Sequence, residues 1–259
     1  MAKKNDSDRE TTMSQPAVAA LAPLPFELVY SDGEPLESNW HVNQITLFKE
    51  SVQQAMKERG RSDYFVGGNM FVYYSLEQAQ AIAADINDRR HYRGPDVFYV
   101  GGVDGKTDRN AWVTWEEGGR YPEVIVELLS PSTARKDRTT KKDLYAQVFR
   151  TPEYFLQDPD KVELEGFRLA GESYRPIVPN AQGRLWSEQL GLELGLWQGT
   201  FQEQTATWVR LFHPDGHLVL TGNEKAEVER QRAEAAEAEL ARLRARLDGA
   251  GRGKPRTGR

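Results

Sequence analysis

From Leu24 onward the apolar residues recur with two periods, and the switches between them mark out the elements. Ile45, Phe48, Val52, Ala55 and Met56 return at helical spacing, which predicts a helix capped by Asn39, ending near Arg59-Gly60 and packed against a sheet. Tyr64 to Tyr74 reads as a strand interrupted by Gly67-Gly68, and Leu76 to Asp88 as a short Ala-rich helix. Pro95 to Val100 and Glu123 to Leu129 are runs rich in the β-branched and aromatic residues that suit a pleated surface. Gly101 to Tyr121 between them reads as loop. A helix is expected from about Asp137 to Phe149, then a strand from Glu153 to Asp158 closed by a turn at Asp158-Pro159. Val162 to Val178 predicts a hairpin around Gly171, and Leu185 to Val219, with Trp197 and Trp208, is expected to complete the sheet. Alternating helix and strand signals give an α/β domain with a central mixed sheet flanked by helices, over residues 24–222.

The two ends break this pattern. Residues 1–23 are polar, then rich in Ala and Pro, and show neither period, so they read as a disordered tail. Over residues 223–248 Ala, Glu and Arg replace the aromatics. Ala226, Ala233, Leu240 and Leu247 recur every seven residues, with Glu229, Ala236 and Leu243 interleaved, as in a coiled-coil seam. The seam is apolar enough to predict a homo-oligomer such as a dimer, and thin enough that a solvated helical extension is its rival. Residues 249–259 form a basic segment expected to be disordered.

Composition narrows the chemistry. The 259 residues include no cysteine, which removes disulfides, thiolate zinc sites and cysteine nucleophiles and fits a reducing cytoplasm. Four histidines, of which only His213 and His217 lie close in sequence, make a histidine-rich centre unpromising, so a metal would sit on oxygen, hence Mg2+ with Mn2+ as a substitute. No apolar run is long enough to span a bilayer, and no hydrophobic stretch follows Lys3 and Lys4, so a cytoplasmic protein without membrane contact is expected. The formal charge of −5 argues against an all-over polyanion-binding surface but leaves room for local patches.

Two carboxylates, Asp96 and Glu127, stand in neighbouring strand-like runs. A buried carboxylate costs several kcal/mol to desolvate, on the order of what a cation or several hydrogen bonds return. Period two puts Ile125, Glu127 and Leu129 on one face of their strand and Val124, Val126 and Leu128 on the other. Phosphodiester hydrolysis needs a metal on such carboxylates and a nearby cationic side chain, for which Lys141 is the candidate. Arg135, Lys136, Arg138 and Lys142 lie with Lys141 just after the Glu127 strand and could meet a DNA backbone. Each residue also has a plainer role open to it: Asp96 as a strand-start turn, Glu127 as an ion-pair partner, Lys141 and its neighbours as a solvated helix.

The ordered set Pro95-Asp96, Val126-Glu127-Leu128-Leu129-Ser130-Pro131-Ser132-Thr133, Asp137-Arg138 with Lys141 and Tyr145, Glu153-Tyr154 and Asp158-Pro159 closely resembles the Uma-type family of putative bacterial restriction endonucleases, over roughly residues 24 to 220. The resemblance implies the restriction-endonuclease-like fold of the PD-(D/E)XK nucleases and hydrolysis of DNA phosphodiester bonds. It makes Asp96 and Glu127 the metal ligands and Lys141 the catalytic cation, with Lys142 as fallback. Two positions depart from the usual pattern. Leu129 occupies the slot, two residues after Glu127, where the nuclease lysine usually falls, and Asn69 stands where relatives often carry aspartate. The departures keep a second reading open: an inactive nuclease-fold protein that binds DNA, or a scaffold assembling through its C-terminal helix.

Overall fold

The structure, a computed structural model, describes residues 24–31, 38–86, 88 and 90–251, with side chains through 247. The tail expected over residues 1–23 lies outside the described residues, as do residues 252–259 of the segment expected to be disordered over residues 249–259, whose first three residues are helical. Helix α1 (Asn39–Glu58) begins with Ser38, not Asn39, as its cap: the Ser38 backbone is extended and its side chain accepts from the His41 N–H. Asn39 instead lies one residue inside, where its amide donates to Gln204 Oε1. Sequence gives two adjacent residues that cap equally well, so only the backbone turn decides between them.

A six-stranded mixed sheet forms the centre, in the order β1 (Tyr64–Gly68), β3 (Val97–Gly101), β5 (Val124–Leu128), β6 (Glu153–Asp158), β7 (Glu163–Ala170) and β8 (Ser173–Pro176). β5 and β6 run parallel and the remaining neighbours antiparallel. The parallel pair needs a crossover, which the chain supplies as three helical pieces: α3 (Ala134–Lys136), a π-helical turn (Asp137–Lys141) and α4 (Lys142–Gln147). Short strands β2 (Val72–Tyr73) and β4 (Trp112–Val113) pair in parallel beside helix α2 (Leu76–Ala84). The second of these strands lies within the stretch that reads as loop.

Period two in the central strands sorts their side chains into two cores. Val97, Tyr99, Val124, Val126 and Leu128 pack with Phe48, Val52 and Met56 of α1. Phe98, Val100, Ile125 and Leu129 pack on the other side with Tyr145, Phe149, Tyr154 and Trp112. Burying a large apolar side chain contributes about 2 kcal/mol, so each core fixes strand register firmly.

The segment from Leu185 to Val219 does not extend the central sheet. It builds a separate antiparallel sheet, β11 (Gln204–Phe212), β10 (Leu192–Phe201) and β9 (Leu185–Ser187), against the face that α1 also covers. β8 already occupies the far edge of the central sheet, and the inward residues Leu185, Leu192, Leu194, Val209 and Leu211 find apolar cover only by stacking on it. Gln202 and Glu203 join β10 to β11 with φ of 48° and 61°, the left-handed pair that a two-residue hairpin turn requires.

Helix α5 (Gly222–Gly251) continues three residues beyond the stretch expected to be helical, and Leu240, Leu243 and Leu247 are exposed on it. Its first turn is fastened by Glu224, which receives both guanidinium nitrogens of the buried Arg210 at 2.9 and 2.7 Å. Arg210 also donates to the Val219 carbonyl at 3.0 Å. Arg210→Ala therefore removes a charged hydrogen-bond set and is expected to cost about 2 kcal/mol, read as a lower urea midpoint at unchanged m value. A wild-type midpoint for this variant would show that α5 is held by something else.

Candidate active site

Strand parity places Asp96 and Glu127 on the same side of the sheet. Asp96 directly precedes β3 and shares the parity of Phe98 and Val100; Glu127 shares that of Ile125 and Leu129, and all four apolar residues belong to one core. The two acids are linked twice through the backbone. The Asp96 N–H donates to Glu127 Oε2 at 3.3 Å, and the Leu128 N–H donates to Asp96 Oδ2 at 2.7 Å. β3 and β5 are thereby tied at the level of their acids, one residue before the ladder pair Val97 and Val126.

Glu127 is fully buried and collects its remaining partners from the crossover. Lys141 Nζ lies 3.0 Å from Oε1, and the Tyr145 hydroxyl donates to the same oxygen at 2.9 Å. Lys141 also meets Asp137 Oδ1 at 2.7 Å. The wide turn over Asp137–Lys141 lets two charged residues four apart and Tyr145, a further four along, all face the sheet. The Tyr154 hydroxyl donates to the Asp137 carbonyl at 3.0 Å and anchors the start of this turn to β6.

Three carboxylates around one ammonium set the electrostatics. Burial, and then the neighbouring Asp96 and Asp137, push the Glu127 carboxyl above its ordinary range, although Lys141 opposes them. Burial likewise raises the Asp96 carboxyl against the pull of Lys141 and the Leu128 N–H. Burial on its own would lower the Lys141 ammonium, but Glu127, Asp137 and Asp96 outweigh it and hold the group charged above its usual range. The Tyr145 phenol is held neutral by burial and by the adjacent Glu127.

The donor set suits a hard divalent cation. Asp96 is partly exposed, and its Oδ1 takes no hydrogen bond among the described residues; Glu127 Oε2 takes only the long one from the Asp96 N–H. A carboxylate offers about four lone-pair positions, so both acids keep capacity for an ion. Among the described residues no group of three or more His, Cys, Asp or Glu is arranged to hold a metal. Two carboxylates are nonetheless the complement that Mg2+ takes from proteins when it keeps several waters and adds substrate phosphate.

The four basic residues expected to meet DNA divide into two kinds. Arg138 is turned inward onto Glu165 and lies 3.5 Å from Asp158, so it ties the crossover to β6 and β7. Lys142 Nζ sits 3.2 Å over the Phe167 ring, and burial lowers its ammonium. Arg135 and Lys136 are exposed, and burial of the stem together with Lys141 and Arg93 lowers the Lys136 ammonium. Leu129, in the slot where a lysine is usual, is a buried core residue whose N–H donates to the Gln157 carbonyl. Asn69 takes a left-handed φ of 48° and donates its N–H to the Asp96 carbonyl at 2.9 Å, so its work here is backbone geometry, which asparagine tolerates well.

His41 and Arg93 did not emerge from the sequence. His41 Nε2 lies 3.2 Å from the Leu128 carbonyl, which can only accept, so this nitrogen carries the proton; Nδ1 meets the Ser38 hydroxyl at 3.0 Å. The histidine is 87 residues from its partner, and no local pattern marks the pairing. Arg93 stands two residues before Pro95, with Nη1 on the Arg90 and Tyr92 carbonyls and a buried Nε that has no hydrogen-bond partner among the described residues. Its lack of spacing to any motif hides it.

Comparison with known proteins follows the same lines. Residues 21–206 match the profile of Uma2, described as "Putative restriction endonuclease". None of the curated proteins matches the chain. Among solved structures, a putative nuclease belonging to DUF820 from Anabaena variabilis is similar, with a TM-score of 0.41 at 14% identity, over 62% of this chain and 81% of that one. Because the profile spans most of the chain, from residue 21 to residue 206, the protein belongs to the Uma2 family of putative restriction endonucleases.

Proposed function

We propose that this protein is a metal-dependent endonuclease that hydrolyses DNA phosphodiester bonds, with Asp96 and Glu127 as the metal ligands and Lys141 as the catalytic cation. The observation that carries the reading is the meeting of Glu127, Asp96 and Lys141 on one side of the sheet, with the ammonium 3.0 Å from a buried carboxylate. Mg2+ or Mn2+ held by the two acids supplies Lewis-acid polarisation of the phosphate and lowers the pKa of an attacking water.

The side chains divide the remaining work. Lys141 keeps a fixed positive charge beside the acids, because Glu127 and Asp137 hold its proton, and it can support charge that develops on phosphate oxygens. Tyr145 and the Asp96 N–H hold opposite oxygens of Glu127 and so set the plane of its carboxylate. Asp96 is the more exposed of the two acids, which leaves it the readier one to share an ion with substrate.

Cleavage of supercoiled and linear DNA in Mg2+ or Mn2+ is the direct test. Asp96→Ala, Glu127→Ala and Lys141→Ala should each lower the rate by about 100-fold or more. A wild-type protein that folds yet leaves every common form of DNA intact would overturn the proposal. Tyr145→Phe loses one hydrogen bond to Glu127, worth about 1 kcal/mol, and should slow cleavage by about fivefold.

The raised carboxyls also predict a pH dependence without metal. Their folded-state pKa values exceed the unfolded ones, so the folded chain binds more protons. This stabilising contribution is fully present below the ordinary carboxylate range and fades as pH rises through the raised values. The metal-free protein should therefore melt at lower temperature near about pH 8 than near about pH 6, with Mn2+ raising the melting temperature more at the higher pH. Glu127→Gln should flatten both trends, as differential scanning calorimetry would show; unchanged slopes in that variant would detach them from this cluster.

A further inference from the structure

A second feature lies beyond the carboxylates. A cleft of about 950 Å3 opens between α1, the outer edge of β1 and the loop around Lys106. Five cations line it, Lys49, Lys57, Arg61, Lys106 and Arg109, against a single acid, Asp108. Two of the five are already spoken for: Arg61 pairs with Asp63 at 2.9 Å and Arg109 with Glu117 at 2.6 Å. Lys49, Lys57 and Lys106 have no ion pair among the described residues. Asp104, next to Lys106, is engaged by the Lys106 N–H at 2.9 Å and the Thr107 hydroxyl at 3.2 Å. In a chain of formal charge −5, three lysines without an ion pair, gathered in one concavity with Asp104 and Asp108 as the nearby acids, can take up an anion.

Their layout favours an extended anion over a compact one. Lys49, Gln53 and Lys57 form an i, i+4, i+8 stripe on α1 that puts the two ammonium stems about 12 Å apart along the axis. One strand of duplex carries a phosphate about every 3.4 Å of axis, so the stripe spans roughly three or four phosphates. A small phosphate compound would need donors within a few ångströms of one another, whereas the Lys49 and Lys57 stems stand about 12 Å apart along the helix.

The loop that brings Lys106 is pressed onto the strand edge at Gly105. A Cβ there would fall 2.3 Å from the Tyr64 carbonyl oxygen and 2.9 Å from that of Ser62, so only glycine allows this approach. The cleft also leads toward the acids. Val66 and Met70 line it, and Asn69, between them, donates to the Asp96 carbonyl.

We propose that this cleft is the track for the DNA backbone flanking the scissile bond, with Lys49, Lys57 and Lys106 as its phosphate contacts. The assignment rests on the endonuclease reading above and supplies what that site lacks, since Arg138 and Lys142 are turned onto Glu165 and Phe167. Because α1 covers the face of the sheet opposite the acids, a backbone leaving Asp96 would round the β1 edge past the Lys106 loop to reach Lys49 and Lys57.

Binding measured without cleavage separates the two ideas. A fluorescent duplex of about 20 base pairs, titrated in EDTA over a range of NaCl, should show log K falling linearly with log salt. Lys49→Ala/Lys57→Ala/Lys106→Ala should bind at least about tenfold more weakly and lessen the salt slope by about 3, close to 0.9 for each lost contact. The triple Lys→Arg variant should keep both values, and Arg232→Ala/Arg242→Ala on α5 should leave them unchanged. An unaltered slope and affinity in the triple alanine variant overturns the proposal, as does a folded wild-type protein that fails to bind the duplex. Poly-glutamate competing as well as DNA of equal charge would also overturn it. Lysine-dependent binding without any cleavage leaves the track standing and removes the nuclease reading; cleavage with lysine-independent binding does the reverse.

Discussion

A carboxylate buried in the middle of a β-sheet has to be matched, and the matching of Glu127 organises the rest of this molecule. Desolvating the pair costs several kcal/mol per ion, while an ammonium 3.0 Å away returns about 5 kcal/mol at the effective dielectric of protein interiors. Coulomb attraction alone leaves little margin, so hydrogen bonds from Tyr145 and the Asp96 N–H are needed to complete the shell. Those three partners come from the strand before Glu127 and from the crossover after it. The order β3, β5, crossover, β6 is thus tied together by one side chain.

The cations of the chain serve two ends, and their surroundings tell them apart. Lys141, Arg138 and Arg210 are matched by acids and hold elements in place. Lys49, Lys57 and Lys106 line a concavity with little negative charge to meet them. Position in sequence does not separate these groups: the basic run after Glu127 contains the acid-matched Lys141 and Arg138 beside the exposed Arg135 and Lys136, whereas the cleft lysines are spread over α1 and a distant loop. A cluster of like charges in sequence is a different thing from a cluster in space.

What was legible in the sequence follows from how local its cause is. The strands flanking Asp96 and Glu127, the helix after them and the hairpin around Gly171 are each written in the spacing of their own residues, and the structure has them close to the expected bounds. Both acids and Lys141 could be nominated from the chain alone, the lysine with help from family resemblance, because charge inside or beside an apolar run is visible without a fold. Contacts between remote segments were not legible. His41 reaches the Leu128 carbonyl across the molecule, and Asp137 becomes part of the cluster only because a π-helical turn widens the helix at that point. The independent β9–β11 sheet was hidden for a related reason: alternating Leu and Val states that a strand has a buried face, not which sheet buries it. Its turn, Gln202-Glu203, lacks the Asn-Gly or Asp-Gly composition that announces such hairpins.

The contact of Gly105 with the Tyr64 and Ser62 carbonyls has a further consequence. β1 ends the sheet, and an uncovered terminal strand is a template on which another chain can add. The loop that carries Lys106 is also the lid over that adhesive border. Its charge can be retuned freely at neighbouring positions, but lengthening the side chain at Gly105 would lift the lid, so a gain in electrostatic reach made there would come with a tendency to aggregate.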